Sequence, residues 1–300
     1  MPRIEHRDPP EKNFHGRGGY KISNILFPLR VFLVQSSETM ATNFVRRTTR
    51  ILVLNPNSSA SMTHGLEEAI HSMNISQSTE IYTYTAPPES PGSINDGNDL
   101  LASTDVVYKN LTSTGILKQY DAVLVACFSV HPLVSKLADF DGTFSKLAVT
   151  GIFEASILTC LSLLRPHGKW GIVTTGKFWE DHLAKGVNNF LGSDSQSENA
   201  KFAGVESTGL NAGDFHGGVD PAIVRKKLIE ATRRLLARGN VECVVMGCAG
   251  MAGLEEIIRS VALQEYGRER GNQLLIVDGI RAGIRLLEQM VQNRRTFQGS

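Results

Sequence analysis

Four cysteines occur in this chain of 300 residues, Cys127, Cys160, Cys243 and Cys248, and two of them stand at positions suited to chemistry. Cys127 follows the apolar run Ala122–Ala126 and precedes Phe128-Ser129-Val130-His131-Pro132. Cys248 follows the run Cys243–Met246 and sits within Gly247-Cys248-Ala249-Gly250-Met251. Each reads as the end of a buried strand with a turn and a helix after it. The glycines beside Cys248 let a backbone approach a ligand closely. Exposed N–H groups at a helix start are expected to lower the pKa of a nearby thiol and to hold a carboxylate or imide oxygen. Cys160 lies inside the apolar run Ile157–Leu164, and Cys243 lies within its strand, so both read as small core residues. Position alone leaves Cys127 and Cys248 as open to a packing role as to a chemical one.

Two thiols opposed across a cleft suit one reaction type. A thiolate removes a proton from a stereocentre, and the other thiol returns one from the opposite face. An unperturbed thiol titrates near about 8.5, so modest tuning makes a base at neutral pH. The carbanion needs hydrogen-bond donors on an adjacent carbonyl. The expectation is a reaction without metal or organic cofactor, and the cysteines and histidines show no zinc-ligand spacing.

Several polar residues are candidates for holding the substrate. Asn55-Pro56-Asn57-Ser58-Ser59 follows a strand and offers amides and hydroxyls, although Ser58 or Ser59 also reads as a helix cap. Thr174-Thr175 occupies the corresponding place later in the chain, where β-propensity alone would also account for it. Ser93, in Pro91-Gly92-Ser93-Ile94-Asn95, either reaches the site from a loop or forms an ordinary turn. His131 reads equally as a cleft base or a polar loop residue. Asp121 and Glu242 precede their strands and so fall at the far end from the cysteines.

The elements that must carry these residues alternate. Ile51–Leu54, Ile81–Thr85, Ala122–Ala126, Gly171–Thr175, Cys243–Met246 and Leu274–Val277 read as strands. Helical spacing joins Met62, Leu66 and Ile70; Leu133, Val134 and Leu137; Phe153 to Leu164; and Phe178 to Phe190. It also joins Val224, Leu228, Ala231 and Leu235; Leu254, Ile257, Ile258 and Val261; and Ile280, Ile284 and Leu287. A weak repeat relates Asp121-AVLVAC to Glu242-CVVMGC, and ILVLNPNSS to GIVTTGKFW. The expected fold is α/β, with two pseudo-symmetric lobes, each a parallel sheet flanked by helices, and the active site in the cleft between them. Residues 1–48, rich in Pro, Gly and charge, read as a disordered extension. Residues 49–300 form the domain, with lobe one at about 49–147 plus the C-terminal helix and lobe two at about 148–276.

Composition narrows the partners. Net charge is +1 and the chain is 41% hydrophobic and 20% charged, an ordinary globular balance. Such a balance argues against nucleic acid or an anionic membrane and for a small-molecule substrate. The run Ile25–Val34 is short and broken by Pro28 and Arg30, so no membrane span is expected. Few cysteines in a long chain suit a reducing, cytoplasmic setting. A homo-oligomer is compatible with all of this.

From about Arg50 onward the chain resembles the aspartate/glutamate/hydantoin racemase superfamily, in its hydantoin and allantoin racemase branch. The segments that carry the resemblance are LNPNSS (54–59), PGSIN (91–95), DAVLVACFSVHPL (121–133), VTGIFEAS (149–156), GIVTT (171–175), VVMGCAGMAGL (244–254) and VDGI (277–280). GCAGMAGL is the most specific of them. The resemblance implies that Cys127 and Cys248 are the acid/base pair. It also implies that Asn55, the backbone at Phe128 and Ala249-Gly250, and Thr174-Thr175 line the substrate site. The implied substrates are 5-substituted hydantoins or allantoin, in nitrogen compound metabolism. Related branches act on aspartate or glutamate, or carry out decarboxylation and cis-trans isomerisation. Many bacterial members have an acidic residue where this chain has His131 before Pro132, and the N-terminal extension has no counterpart in the family pattern.

Overall fold

The computed structural model describes residues 48–140, 146–193 and 199–298, and the N-terminal extension lies outside them. In chain order, β1 (Thr49–Asn55), α1 (Ala60–His71), β2 (Thr79–Thr85), α2 (Gly97–Thr114), β3 (Ala122–Val125), α3 (Pro132–Ala138) and β4 (Ala148–Gly151) make the first lobe. The second lobe begins with α4 (Ile152–Leu163) and continues through β5 (Lys169–Thr174), α5 (Phe178–Phe190) and β6 (Phe202–Ser207). It is completed by α6 (Pro221–Leu236), β7 (Val241–Gly247), α7 (Glu255–Gln273) and β8 (Leu275–Asp278). The last helix, α8 (Gly279–Phe297), returns to pack on β3, β4 and α1 of the first lobe.

Both sheets have four strands and the same order. The first runs β2-β1-β3-β4 and the second β6-β5-β7-β8, with every pair parallel. The repeat seen in the sequence is therefore a repeat of topology. Val125 pairs with Leu54 in the first sheet as Met246 pairs with Val173 in the second. Counting two residues on from Val125 and from Met246 gives Cys127 and Cys248, so the two thiols occupy equivalent positions. The strand Ala148–Gly151 pairs with β3, so the boundary between the sheets falls after it rather than near residue 148.

Parallel strands covered on both faces are apolar throughout. Ile51 to Leu54, Ala122 to Val125 and Val244 to Met246 are all at most 1% exposed. One continuous core takes side chains from both sheets, among them Val53, Leu124, Ile172 and Val245, and it is bridged by α4 and α8. Helix α4 is apolar nearly all round because it lies between the two lobes. Its Cys160 and Cys243 of β7 are fully buried, with sulfurs 3.0 Å apart, in keeping with a packing role. Helix α8 approaches β3 so closely that a Cβ on Gly283 would stand 2.3 Å from Leu124 Cδ1. Glycine at 283 thus lets α8 lie this close to the first sheet.

Candidate active site

Parallel sheets collect functional groups at the carboxyl ends of their strands. Here the two sets of strand ends face one another across a cleft, and both Cys127 and Cys248 line it. Of the other residues expected there, Phe128, Thr175, Ala249 and Gly250 line the cleft, whereas Asn55, Ser93 and Thr174 do not.

Each of those three is committed elsewhere. Asn55 is 1% exposed, and its amide donates to Asn57 Oδ1 (3.1 Å), the Ser59 carbonyl (3.2 Å) and Thr63 Oγ1 (3.0 Å). Its own Oδ1 accepts the Asn57 N–H at 3.2 Å. Asn55 therefore builds the turn, and Asn57 faces the cleft in its place. Asn57 Oδ1 accepts from Asn55 Nδ2 and from the Ser59 N–H (3.0 Å), which turns its own NH₂ group towards Met62 Sδ, itself in the cleft wall. Ser59 caps α1 as the sequence suggested, accepting the Met62 N–H at 3.3 Å. Ser93 donates to Asn95 Oδ1 at 3.2 Å, and its neighbour Ile94 lines the cleft instead. Thr174 is fully buried and donates to the Gly247 carbonyl at 2.8 Å.

Trp179, in the first turn of α5, and Ala212 complete the apolar wall. Both were missed in the sequence. Trp179 had a signal, since it lies only three residues after the polar strand end Thr174-Thr175-Gly176. Ala212 sits in a short helical turn, Ala212–His216, which nothing in its composition marks as part of a site. The backbone N–H of Ala212 reaches Asn95 Oδ1 at 3.4 Å, so the two lobes touch at the edge of the cleft.

The thiols differ from expectation in their acidity. Burial pushes Cys127 up to about 12, with a hydrogen bond from Ser129 Oγ (3.4 Å) acting weakly in the other direction. Burial pushes Cys248 up to about 11, partly offset by the Gly250 N–H at 3.3 Å. The lowering expected from a helix N-terminus is not found. Helix α3 starts only at Pro132, which lacks an N–H, and Cys248 is followed by a three-residue turn, Ala249–Met251, with no macrodipole of consequence. Both sulfurs are therefore protonated at neutral pH.

His131 is not a cleft group. It is 2% exposed, its Nδ1 accepts the Leu133 N–H at 3.2 Å as the cap of α3, and Nε2 is enclosed without a partner. Burial pushes its pKa down to about 3, so it is neutral. None of the residues lining the cleft is Lys, Arg, His, Asp or Glu, and the side-chain donors are the Asn57 amide, the Thr175 hydroxyl and the two thiols. Among the described residues no group of three or more His, Cys, Asp and Glu is placed to hold a metal ion, and no helix is long and apolar enough to cross a membrane.

Comparison with known proteins agrees with this geometry. The model of the Asp/Glu/hydantoin racemase family matches residues 51–287. An uncharacterized protein of Schizosaccharomyces pombe is 34% identical over 81% of this chain and 92% of its own length. A hydantoin racemase of a Pseudomonas species is 25% identical over 81% of this chain and 86% of its own. Among solved structures, allantoin racemase from Pseudomonas fluorescens superposes with a TM-score of 0.64 at 24% identity, covering 82% of this chain and 92% of that one. The shared fold is the two-lobed α/β arrangement.

Proposed function

The chain belongs to the Asp/Glu/hydantoin racemase family, and from that premise we propose that it racemises a hydantoin-like ring, a 5-substituted hydantoin or allantoin, with Cys127 and Cys248 as acid and base and no cofactor. The observation that carries the reading is the placement of the two thiols at equivalent strand ends of the two repeats, both lining one cleft.

In this mechanism one sulfur, as thiolate, takes the proton from ring carbon 5. The pair of electrons moves onto the neighbouring carbonyl oxygen, where the Asn57 amide, the Thr175 hydroxyl and backbone N–H groups near Phe128 and Ala249 offer hydrogen bonds. The opposed thiol then delivers a proton to the other face. Transfer of the carbon proton to the thiolate moves one negative charge from sulfur to the carbonyl oxygen and creates no second charge in the cleft. Apolar walls from Met62, Ile94, Phe128 and Trp179 enclose the ring.

The uncharged lining favours a neutral ring over aspartate or glutamate, whose second carboxylate would be buried without a partner. The setting we propose is nitrogen compound metabolism in the cytoplasm, in keeping with the four free cysteines of the chain. A polarimetric or circular-dichroism screen of enantiopure 5-substituted hydantoins, allantoin, aspartate and glutamate tests the reading. Loss of optical activity is expected with a ring substrate. Racemisation of the amino acids alone, or of none of these compounds, would contradict it.

A further inference from the structure

The cleft between the two thiols is tight. Its cavity measures about 40 Å³, which holds on the order of three waters. A hydantoin ring with its carbonyl oxygens and 5-substituent needs more, so part of the wall must move to admit one. The lobes share one apolar core through α4 and α8, and parting them would expose it. The wall also contains a smaller element, the helical turn Ala212–His216, and several features equip it to move.

The turn stands between two spaces. Ala212 walls the cleft, whereas Asp214, Phe215 and Gly217 wall a second hollow, which Leu254 and Ile257 also line. A segment with a hollow behind it can draw back without displacing close-packed side chains. Its roots are two glycines in the left-handed region, Gly209 (φ +78°) and Gly217 (φ +112°), where other residues would be strained. The root at Gly209 is fixed to the cleft wall, its N–H donating to the Thr175 carbonyl at 2.8 Å. Phe215 seats the turn on the core of the second lobe. Within the turn the bonds are local: the Asn211 N–H donates to Asp214 Oδ2 (2.7 Å) and the Asp214 N–H to the Asn211 carbonyl (3.2 Å).

The bond from the Ala212 N–H to Asn95 Oδ1, at 3.4 Å, crosses from the turn to the first lobe. Asn95 is set up to receive it. Its own N–H donates to Asp99 Oδ2 at 2.8 Å, and its Oδ1 also accepts the Ser93 hydroxyl at 3.2 Å. These bonds fix the side chain at the edge of the cleft, beside Ile94 in the wall. A single long hydrogen bond is weak enough to break and re-form in each turnover.

We propose that the turn Ala212–His216 is the gate of the cleft and Asn95 its latch. A ring enters when the Ala212 N–H leaves Asn95 Oδ1 and the turn draws back on its glycine roots, and the bond re-forms once the ring is in place. Asn95 does not line the cleft, so it is a positioning residue. The proposal rests on the reading of the cleft as the substrate site, and its test therefore uses no substrate.

The test labels Cys127 and Cys248 with a small reagent, iodoacetamide, and a bulky one, N-phenylmaleimide, and follows each site by peptide mass spectrometry. Both reagents take the thiolate, so the ratio of their rates cancels thiol acidity and reports the width of the entrance. Asn95→Ala removes the acceptor of the latch. Ala212→Pro removes the donor at the first position of a helical turn, where proline fits, and Asn211 before it already has the extended backbone that proline requires (φ −80s region, ψ 162°). Each variant is expected to raise the bulky-to-small ratio about three- to tenfold with little change in Tm. Asn95→Asp keeps an acceptor and the parental ratio. The double variant is expected to match the singles, because both changes delete one bond. Either single variant decides the matter should the other fail to fold. An unchanged ratio in a folded Asn95→Ala or Ala212→Pro protein would overturn the proposal, as would an Asn95→Asp protein that behaves like Asn95→Ala, or additive effects in the double variant. A raised ratio in a protein that racemises none of the compounds screened would count against the proposed function and support the gate.

Discussion

Thr174 donates its hydroxyl proton to the carbonyl of Gly247 at 2.8 Å, one residue before Cys248. The bond ties the end of β5 to the end of β7 and fixes where the second thiol emerges. Thr175, next in the chain, lines the cleft. Two adjacent hydroxyls thus divide into one that holds the frame and one free to meet a ligand.

Substitution of each by valine separates these roles. Thr174→Val removes a buried hydrogen bond and leaves a carbonyl less satisfied, at a cost of about 1–2 kcal/mol. In a chain of this size that lowers Tm by roughly 2–4 °C per kcal/mol. Thr175→Val is expected to leave Tm nearly unchanged and to lower kcat/KM by about tenfold. Thermal melts and steady-state kinetics on the two variants check the assignment; equal effects on both properties would contradict it.

His131 predicts a limb in the pH dependence of stability. Its folded pKa is pushed from 6.5 down to about 3 by burial, so the folded state binds the proton less readily than the unfolded chain. The contribution is complete above pH 6.5 and is lost as pH falls from there towards 3. Asparagine keeps the cap of α3 without the titrating ring. Urea unfolding at neutral pH and at pH near 5 is expected to show the parent losing about 2 kcal/mol more than His131→Asn over that interval. Parallel declines would show that the ring is not held neutral by the fold.

The four cysteines are expected to separate by phenotype. Cys160 is fully buried in the core shared by both lobes. Cys160→Ser places a hydroxyl among apolar side chains and is expected to cost about 1–3 kcal/mol while leaving kcat per folded molecule close to that of the parent. The same substitution at Cys127 is expected to do the reverse. Chemical denaturation together with active-fraction kinetics distinguishes the two; a Cys160→Ser protein that is stable but inactive would refute the division.

The elements that carry the thiols were legible because they are uninterrupted apolar runs ending in small residues, the pattern of strands covered on both faces. The fold class followed from their alternation with helices. Other elements gave weak signals. Ala148–Gly151 is four residues long, and without it the lobe boundary falls a strand too early. Phe202–Ser207 buries only every second residue, and its pattern is interrupted by glycine and glutamate. The helix Gly97–Thr114 spaces its apolar residues among Ser, Thr, Asp and Asn, which propensity does not favour. Within the site, Asn55 and Asn57 are equivalent as letters on either side of Pro56, and only the turn's hydrogen bonds decide which faces outward. Ser93 and Ile94 lie in a loop without periodicity, where facing cannot be read. The thiol pKa values ran opposite to expectation because burial raises them, and a cysteine, a turn and a later helix do not together make a helix N-terminus to offset it.

The central claim is that one of Cys127 and Cys248 removes a proton from a ring carbon and the other delivers a different proton to its opposite face. Incubation of a single enantiomer in D₂O, followed by circular dichroism and mass spectrometry together, measures inversion and solvent exchange in one experiment. The parent enzyme is expected to yield racemate carrying deuterium at carbon 5, while Cys127→Ser and Cys248→Ser each lose racemisation by about 1,000-fold or more with melting temperatures unchanged. Racemisation at parental rate by either folded variant would contradict the account.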